Sequence, residues 1–329
     1  FTAMNENWER SAGKAADRFG LSPRAFHQLS RGGVPDLEGV LRMRHVGELY
    51  RTAEREELDI EQLLSGSPLY RFSRWMLGKA VEEGGIPATQ AGYVGTKLVR
   101  EAYERHLITT PFERIDEIFH RQDAEGEDVR QDKMRPKKEA DWQDFLMYRK
   151  ILETGKLLEF EGRRYRPGEG AADLLDDPAA LYLTLLHTMF TWVEWDSTPY
   201  LGTVPYLRNM AGFLLYVLRR LSEQEETAQA ENEGSGEAGT TEGWFDSELL
   251  AERFIAAVPP IAEKVEEQEA SATEEFGLRE FVMMGVYSGF LQDFGESLGL
   301  VEMVRYRDKV VGARLRPATL FSLVFDTGR

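Results

Sequence analysis

The side chains with the clearest capacity for chemistry in this sequence are arginines and lysines in two similar segments, near residues 165 and 315. They are Arg163, Arg164 and Arg166 in the first segment and Arg305, Arg307, Lys309, Arg314 and Arg316 in the second. On β-hairpins, such cations supply contacts to the phosphates of nucleic acid. The alternative is that they only solvate a strand edge and keep it from aggregating.

A second candidate site is an aromatic cluster around the segment Asp196-Ser197-Thr198-Pro199. Its members are Trp192, Trp195, Tyr200 and Tyr206. Aromatic side chains beside a proline-containing loop can line a groove for a ligand or a peptide. Packing between helices is the other explanation, because helical proteins seal the ends of their loops with bulky side chains.

Motifs for catalysis are absent from the sequence. It has no glycine-rich phosphate loop with its lysine, no paired histidines on one helix face and no nucleophile elbow. The five histidines are scattered without the spacing of metal ligands, so we expect neither a metal site nor a cofactor. Asp196 and Glu194 near His187 do not make a diagnostic ligand set either. An enzyme is therefore the third of our hypotheses.

The charge of the chain argues against a protein that mainly coats nucleic acid. Its 329 residues carry a formal net charge of −17, whereas counterion release needs clustered basic residues. Much of this charge lies in residues 222–243, where glutamates alternate with glycine, serine and threonine and no basic residue occurs. We expect an acidic flexible linker there.

Composition also bounds the environment of the chain. It has no cysteine, and no apolar run approaches the roughly 18 residues that cross a bilayer. We therefore expect a cytoplasmic protein without a membrane partner.

The elements that must position these side chains follow one pattern twice. An apolar helix ends near a glycine, a short alternating hairpin follows, and Arg-Pro leads into another helix, around Arg166-Pro167 and around Arg316-Pro317. Period-3.6 apolar spacing followed by a short period-2 hairpin predicts a winged helix. The predicted fold is mainly α with small β-hairpin wings: a helical N-terminal region (1–66), tandem winged-helix-like units (67–221), the linker (222–243) and a C-terminal winged-helix-like unit (244–329).

The segment from Gly84 to Val94, with Ile86, Thr89 and Gly92, resembles a signature of a group of uncharacterised bacterial proteins built of tandem winged-helix-like units. Some members of that group carry a SEC-C motif. The resemblance implies a fold and transfers no catalytic residue. Gln90-Ala91 stands where such proteins often have two lysines, and the lack of cysteine excludes a SEC-C zinc site.

The sequence favours two hypotheses for the function of this protein. The first is a non-enzymatic interaction scaffold that binds a protein partner, which the acidic net charge favours. The alternative is a DNA-binding transcriptional regulator that uses the arginine-rich wings. A regulator predicts that Arg163, Arg164, Arg305 and Arg307 share a face with the preceding helices, and a scaffold predicts exposed apolar side chains instead.

Overall fold

The computed structural model describes residues 13–108, 136–191, 206–232, 243–271, 277–306 and 312–327. Within these ranges the chain is mainly helical and carries three small antiparallel sheets of three strands each. The predicted combination of helices with small hairpins is therefore confirmed. No helix in this part of the chain is long and apolar enough to cross a bilayer.

The N-terminal region differs from its prediction because it contains a hairpin. Residues 13–18 are helical, and helix α1 (Pro23–Leu29) is capped at its start by Ser22, whose Oγ accepts from Ala25 N at 3.1 Å. Strands β1 (Asp36–Leu37) and β2 (Leu41–Met43) come next, where the sequence analysis expected only helices. Strand β2 is stabilised by a partner from the far end of the chain, and such a pairing leaves no local signal.

Helices and one sheet make up the next part of the chain. The helices are α2 (Val46–Arg55), α3 (Ile60–Ser65), α4 (Pro68–Glu82), α5 (Thr96–Glu104), a 3₁₀ turn (Glu139–Asp141), α6 (Gln143–Thr154), α7 (Ala171–Asp176), α8 (Pro178–Thr191) and α9 (Ala211–Asn232). Strands β4 (Leu158–Glu161) and β5 (Arg164–Pro167) form the first predicted hairpin. A third strand, β3 (Ile86–Pro87), pairs with β5, so the strand order is β3-β5-β4.

The C-terminal part has a sheet of the same order. Strand β6 (Phe245–Asp246) pairs with β8 (Ala313–Pro317), which pairs with β7 (Val301–Arg305). Between and after these strands lie α10 (Ser247–Ala257), α11 (Pro259–Ser271), α12 (Leu278–Gly285), a π-helix (Val286–Glu296) and α13 (Thr319–Val324). The last strand, β9 (Phe325–Asp326), completes the N-terminal sheet by pairing with β2.

Helix α9 extends into the segment that we predicted as an acidic linker. Residues 222–232 are helical, and the first glutamate of the segment is paired within the helix. Glu223 accepts from Arg219 at 2.9 Å and from Arg220 at 3.0 Å, and pairs at this spacing stabilise a helix. Residues 233–242 lie outside the described ranges.

The residues that follow the π-helix contact three helices that pack around the first sheet, α4, α6 and α8. The carbonyl of Ser297 accepts from Ser67 Oγ and from Leu69 N, each at 2.9 Å. The hydroxyl of Tyr148 donates to Ser297 Oγ at 2.7 Å, and that of Tyr182 donates to the Leu298 carbonyl at 2.7 Å. These contacts are buried, so one hydrophobic core continues from the first sheet to the second.

Candidate functional site

The outer face of the first hairpin carries acids directly opposite its arginines. Glu159 pairs in register with Arg166, and Glu161 pairs with Arg164. Residues two apart on a strand share a face, so these four side chains lie on one surface. Arg166 Nε lies 3.2 Å from Glu161 Oε2, while Arg164 donates to the backbone carbonyl of Gly85.

Arg163 lies at the tip of this hairpin. It takes a left-handed backbone conformation (φ +62°) at the turn and is exposed to solvent. Its guanidinium contacts the Gln90 side chain at 3.5 Å. Arg163 is therefore the predicted phosphate ligand of this hairpin whose side chain is best placed to meet another molecule.

Two of the described arginines of the second hairpin, Arg305 and Arg316, are paired with carboxylates. Arg305 donates to both carboxylate oxygens of Glu296, at 2.9 and 2.7 Å, and its side chain is only 13% exposed. Arg316 lies 2.8 Å from Glu302 and stacks over the Trp244 ring at 5.0 Å. Arg314 donates to the Trp244 carbonyl at 3.4 Å.

Arg307 and Lys309, the other basic residues predicted for this hairpin, lie outside the described residues. The predicted sharing of one face by the wing arginines therefore stays a prediction. Arg305 differs from Arg163 in its surroundings, because its Nη2 already donates to both carboxylate oxygens of Glu296.

The predicted aromatic groove falls almost entirely outside the described ranges. Trp192, Trp195 and Tyr200 are not described. Tyr206 is half-buried, packs against the core and has a left-handed backbone (φ +70°). The groove thus stays a prediction.

A buried polar network under the first hairpin was not foreseen from the sequence. Glu139, 1% exposed, accepts from Val94 N at 2.7 Å and from Arg149 Nε. Arg149 also donates to the Tyr165 hydroxyl at 2.6 Å, which in turn donates to the Gly92 carbonyl at 2.6 Å. Burial raises the pKa of Tyr165. These hydrogen bonds fix the loop at 89–95 to the sheet. Because the groups are buried, a ligand does not reach them.

A smaller polar pair fixes the second hairpin to helix α10. The Tyr306 hydroxyl donates to Asp246 Oδ2 at 2.7 Å, and Asp246 Oδ1 accepts from Glu248 N at the start of the helix. Burial, together with this hydrogen bond, raises the pKa of Tyr306 to about 12. The phenol therefore stays protonated and serves as a donor that holds the end of strand β7.

A cleft lined by arginines from three distant segments was not foreseen from the sequence. Arg18, Arg220 and Arg253 face it from the N-terminal helix, from α9 and from α10. Each of these side chains is unremarkable in its local sequence, and more than 200 residues separate the first from the second. A signal could therefore come only from the tertiary arrangement.

Comparisons with protein-family models, with curated proteins and with solved structures found no match. The resemblance to tandem winged-helix-like proteins accordingly remains a prediction. Within the described ranges, no three histidine or acidic side chains are grouped so that they could hold a metal ion.

Proposed function

We propose that this chain is a non-enzymatic, cytoplasmic interaction scaffold made of two winged-helix-like units, and that its partner is another protein. One unit lies within residues 67–221 and the other within residues 244–329. The observation that carries the proposal is the pairing of three hairpin arginines, Arg166, Arg305 and Arg316, with carboxylates of the same chain.

The order of elements supports the winged-helix interpretation. In both larger sheets a short strand comes first, helices follow, and the last strand of the hairpin occupies the centre of the sheet. A winged helix has this arrangement, with the final two strands forming the wing. The hydrogen bonds leaving the two hairpins also correspond, since Gly168 N donates to the Leu157 carbonyl and Ala318 N to the Leu300 carbonyl, both at 2.9 Å.

The charges on the wings favour a protein partner over nucleic acid. A wing that contacts DNA presents cations that are free to neutralise phosphates. Here Glu161 lies against Arg166, Glu302 against Arg316 and Glu296 against Arg305. A phosphate would have to displace these carboxylates in a chain whose net charge is already −17.

Among the described residues of each hairpin, one large apolar side chain is exposed. Phe160 on β4 is 43% exposed, and Val304 on β7 is 58% exposed. Val304 shares its face of the hairpin with Glu302, Arg314 and Arg316, which resembles the apolar centre and polar rim of a protein-binding surface. Phe160 lies on the face opposite Glu159 and Glu161, with its ring centroid 5.1 Å from that of Tyr165, and offers an exposed aromatic contact. We assign the partner contacts to these two positions.

The nucleic-acid regulator is the second candidate, and Arg163 is the residue that favours it. This side chain is exposed at the hairpin tip and meets an amide rather than a carboxylate. The two candidates separate in a titration of labelled mixed-sequence duplex DNA by fluorescence anisotropy, at about 50 and 200 mM salt. The scaffold predicts no saturable binding at either concentration.

Binding in the micromolar range that collapses with salt would instead establish the regulator. In that case Arg163→Ala should weaken binding, while the ion-paired Arg305 should tolerate replacement by alanine.

The scaffold itself is tested with a photo-crosslinking phenylalanine analogue at position 160 or 304, and at Glu54 on α2 as an exposed control. We expect the hairpin positions to give a covalent adduct between this chain and a partner protein, with one discrete mass, and position 54 to give no adduct. Equal labelling at all three positions would remove the hairpins from the proposed interface.

A further inference from the structure

The cleft that contains Arg18, Arg220 and Arg253 has a volume of about 200 Å³. Helix α9 forms one wall with Tyr216, Arg220 and Gln224, while Phe19 and Arg253 close the others. We name it the arginine cleft. It lies among the helices that precede the second hairpin and is separate from the exposed residues of both wings.

The cations of this cleft are poorly neutralised. Arg18 is exposed and Arg253 is half-buried, and neither forms an ion pair with any residue that the structure describes. Arg220 shares the single carboxylate of Glu223 with Arg219. No described acidic side chain lines the cleft, although the whole chain has 57 acidic and only 40 basic residues. A concentration of positive charge in an acidic protein favours an anionic ligand.

The floor of the cleft is apolar. Val217 and Leu221 are buried beneath it, and Phe19 packs against the core beside them. The hydroxyl of Tyr216 donates to the Phe19 carbonyl at 3.4 Å, which keeps the ring of Tyr216 along the wall. A few polar groups over an apolar surface is the usual composition of a small-molecule site.

A second cleft, of about 250 Å³, continues from the first and shares Arg18 and Arg253 with it. Glu252 and Glu266 line this extension, and Glu252 forms an ion pair with Arg279. Because carboxylates would repel an anion there, the negative end of a ligand belongs beside Arg220 in the arginine cleft.

We propose that the arginine cleft binds a small phosphate monoester whose organic group is apolar. Guanidinium groups match phosphate oxygens with paired hydrogen bonds, and three of them suit a doubly charged group better than a single carboxylate. The volume of the arginine cleft is below the roughly 300–1,000 Å³ of sites for drug-sized ligands, which favours a phosphate with a small organic group. The site does not depend on the proposed scaffold, and its failure would leave that function untouched.

Phenyl phosphate is a suitable probe because it combines a dianion with one aromatic ring. Isothermal titration of the full chain with phenyl phosphate, phenol, benzoate and inorganic phosphate separates the contributions of ring and charge. We expect phenyl phosphate to bind about tenfold or more tightly than each of the other three, which corresponds to the loss of one strong contact. An affinity for phenol equal to that for phenyl phosphate would show that the cleft does not select anions. An equal affinity for benzoate would show that it does not distinguish a phosphate from a carboxylate. Either result overturns the proposal.

Two variants locate the binding. The pair Arg18→Gln with Arg253→Gln removes both cations without breaking an ion pair among the described residues. Gln224→Glu adds a carboxylate to the wall at an exposed position on α9. Each should weaken phenyl phosphate binding by about tenfold or more, whereas Arg51→Gln, at an exposed position of α2, should leave it unchanged.

Thermal unfolding of each variant shows whether its fold is intact. Should the double variant fail to fold, Gln224→Glu still decides the outcome, because it removes no contact of a described residue. Wild-type affinity in Gln224→Glu, or the absence of any binding to the wild-type protein, would overturn the proposal.

Discussion

Arg149 shows how a single buried charge is stabilised in this protein. Its guanidinium is enclosed by Glu139, Glu153 and Tyr165, and its side chain is 6% exposed. The contacts join the 3₁₀ turn, helix α6 and strand β5. A buried ion pair adds little net stability by itself, but removal of one partner leaves the other charge without compensation.

Replacement of Arg149 by methionine should therefore destabilise the protein by about 3–5 kcal/mol, because Glu139 stays buried without its cation. Urea unfolding gives the free energy of unfolding. In the matched control, Glu139→Gln is combined with Arg149→Met, and this pair should recover much of the loss since a neutral amide still accepts from Val94 N. Equal stability of the single and double variants would show that the buried charge of Glu139 is compensated by groups other than Arg149.

At the scale of elements, the two hairpins differ in how closely the residue after the last strand approaches the turn before the first strand. Gly168 follows β5, and a Cβ atom there would lie 1.9 Å from the Lys156 carbonyl oxygen. The corresponding hydrogen bond in the second hairpin is made by Ala318, so the first hairpin comes closer to its preceding turn. By contrast, Gly78 in the middle of α4 has no atom within 4 Å of such a position.

Two glycine substitutions should thus have opposite signs. Gly168→Ala forces backbone apart and should destabilise the protein by about 1–3 kcal/mol. Gly78→Ala should stabilise it by about 0.5–1 kcal/mol, because alanine loses less backbone entropy in a helix. Melting temperatures measured side by side give both signs. An unchanged melting temperature for Gly168→Ala would mean that the chain between Lys156 and Gly168 shifts at low cost.

At the scale of the whole molecule, the two ends of the described chain are joined in one sheet. Strand β2 lies between β1 and β9, with Arg42 opposite Asp326. Arg42 donates to both oxygens of Glu48, at 2.9 and 3.2 Å, and to Asp326 at 3.2 Å. Arg44 donates to the carbonyls of Ser322 and Leu323.

Glu48 makes this closure dependent on pH. The hydrogen bonds from Arg42, and then that from His45 N, lower the pKa of Glu48 from 4.5 to about 2. A carboxyl whose pKa is lower in the folded state contributes stability above its unfolded value and loses it as protons bind. The contribution should be complete above about pH 4.5 and should disappear as the pH falls towards about 2.

Glu48→Gln should accordingly be less stable than wild type near neutral pH, with a difference that narrows from about pH 4.5 downward. Urea unfolding at several pH values measures that difference. Glu54→Gln, which removes an exposed carboxylate from the same helix, is the control and should show a much smaller change. A difference that is constant from pH 7 to pH 3 would contradict the assigned role of Glu48.

The local part of this architecture could be predicted from the sequence. Ser22 and Ser67, each followed by proline, predict helix starts and cap α1 and α4, since the cap uses atoms of neighbouring residues. Alternation from Leu157 to Arg166 predicts a hairpin because the side chains of a strand point to opposite faces in turn. Composition alone gives the acidic net charge.

Contacts between distant residues were decided only by the tertiary structure. The sequence analysis assigned helices to residues 36–43, and the strand at 325–326 turned part of that segment into a sheet. The sequence leaves two roles open for the arginines of the wings, contact with phosphate or solvation of a strand edge. The register of the strands places Glu302 opposite Arg316, whereas Glu296, at the end of the π-helix, reaches Arg305 through the packing of that helix against the hairpin. The arginine cleft unites residues 18, 220 and 253, whose proximity no spacing predicts. Caps and alternation depend on neighbours in the chain, but ion pairs and clefts depend on the packing of elements, which local sequence does not encode.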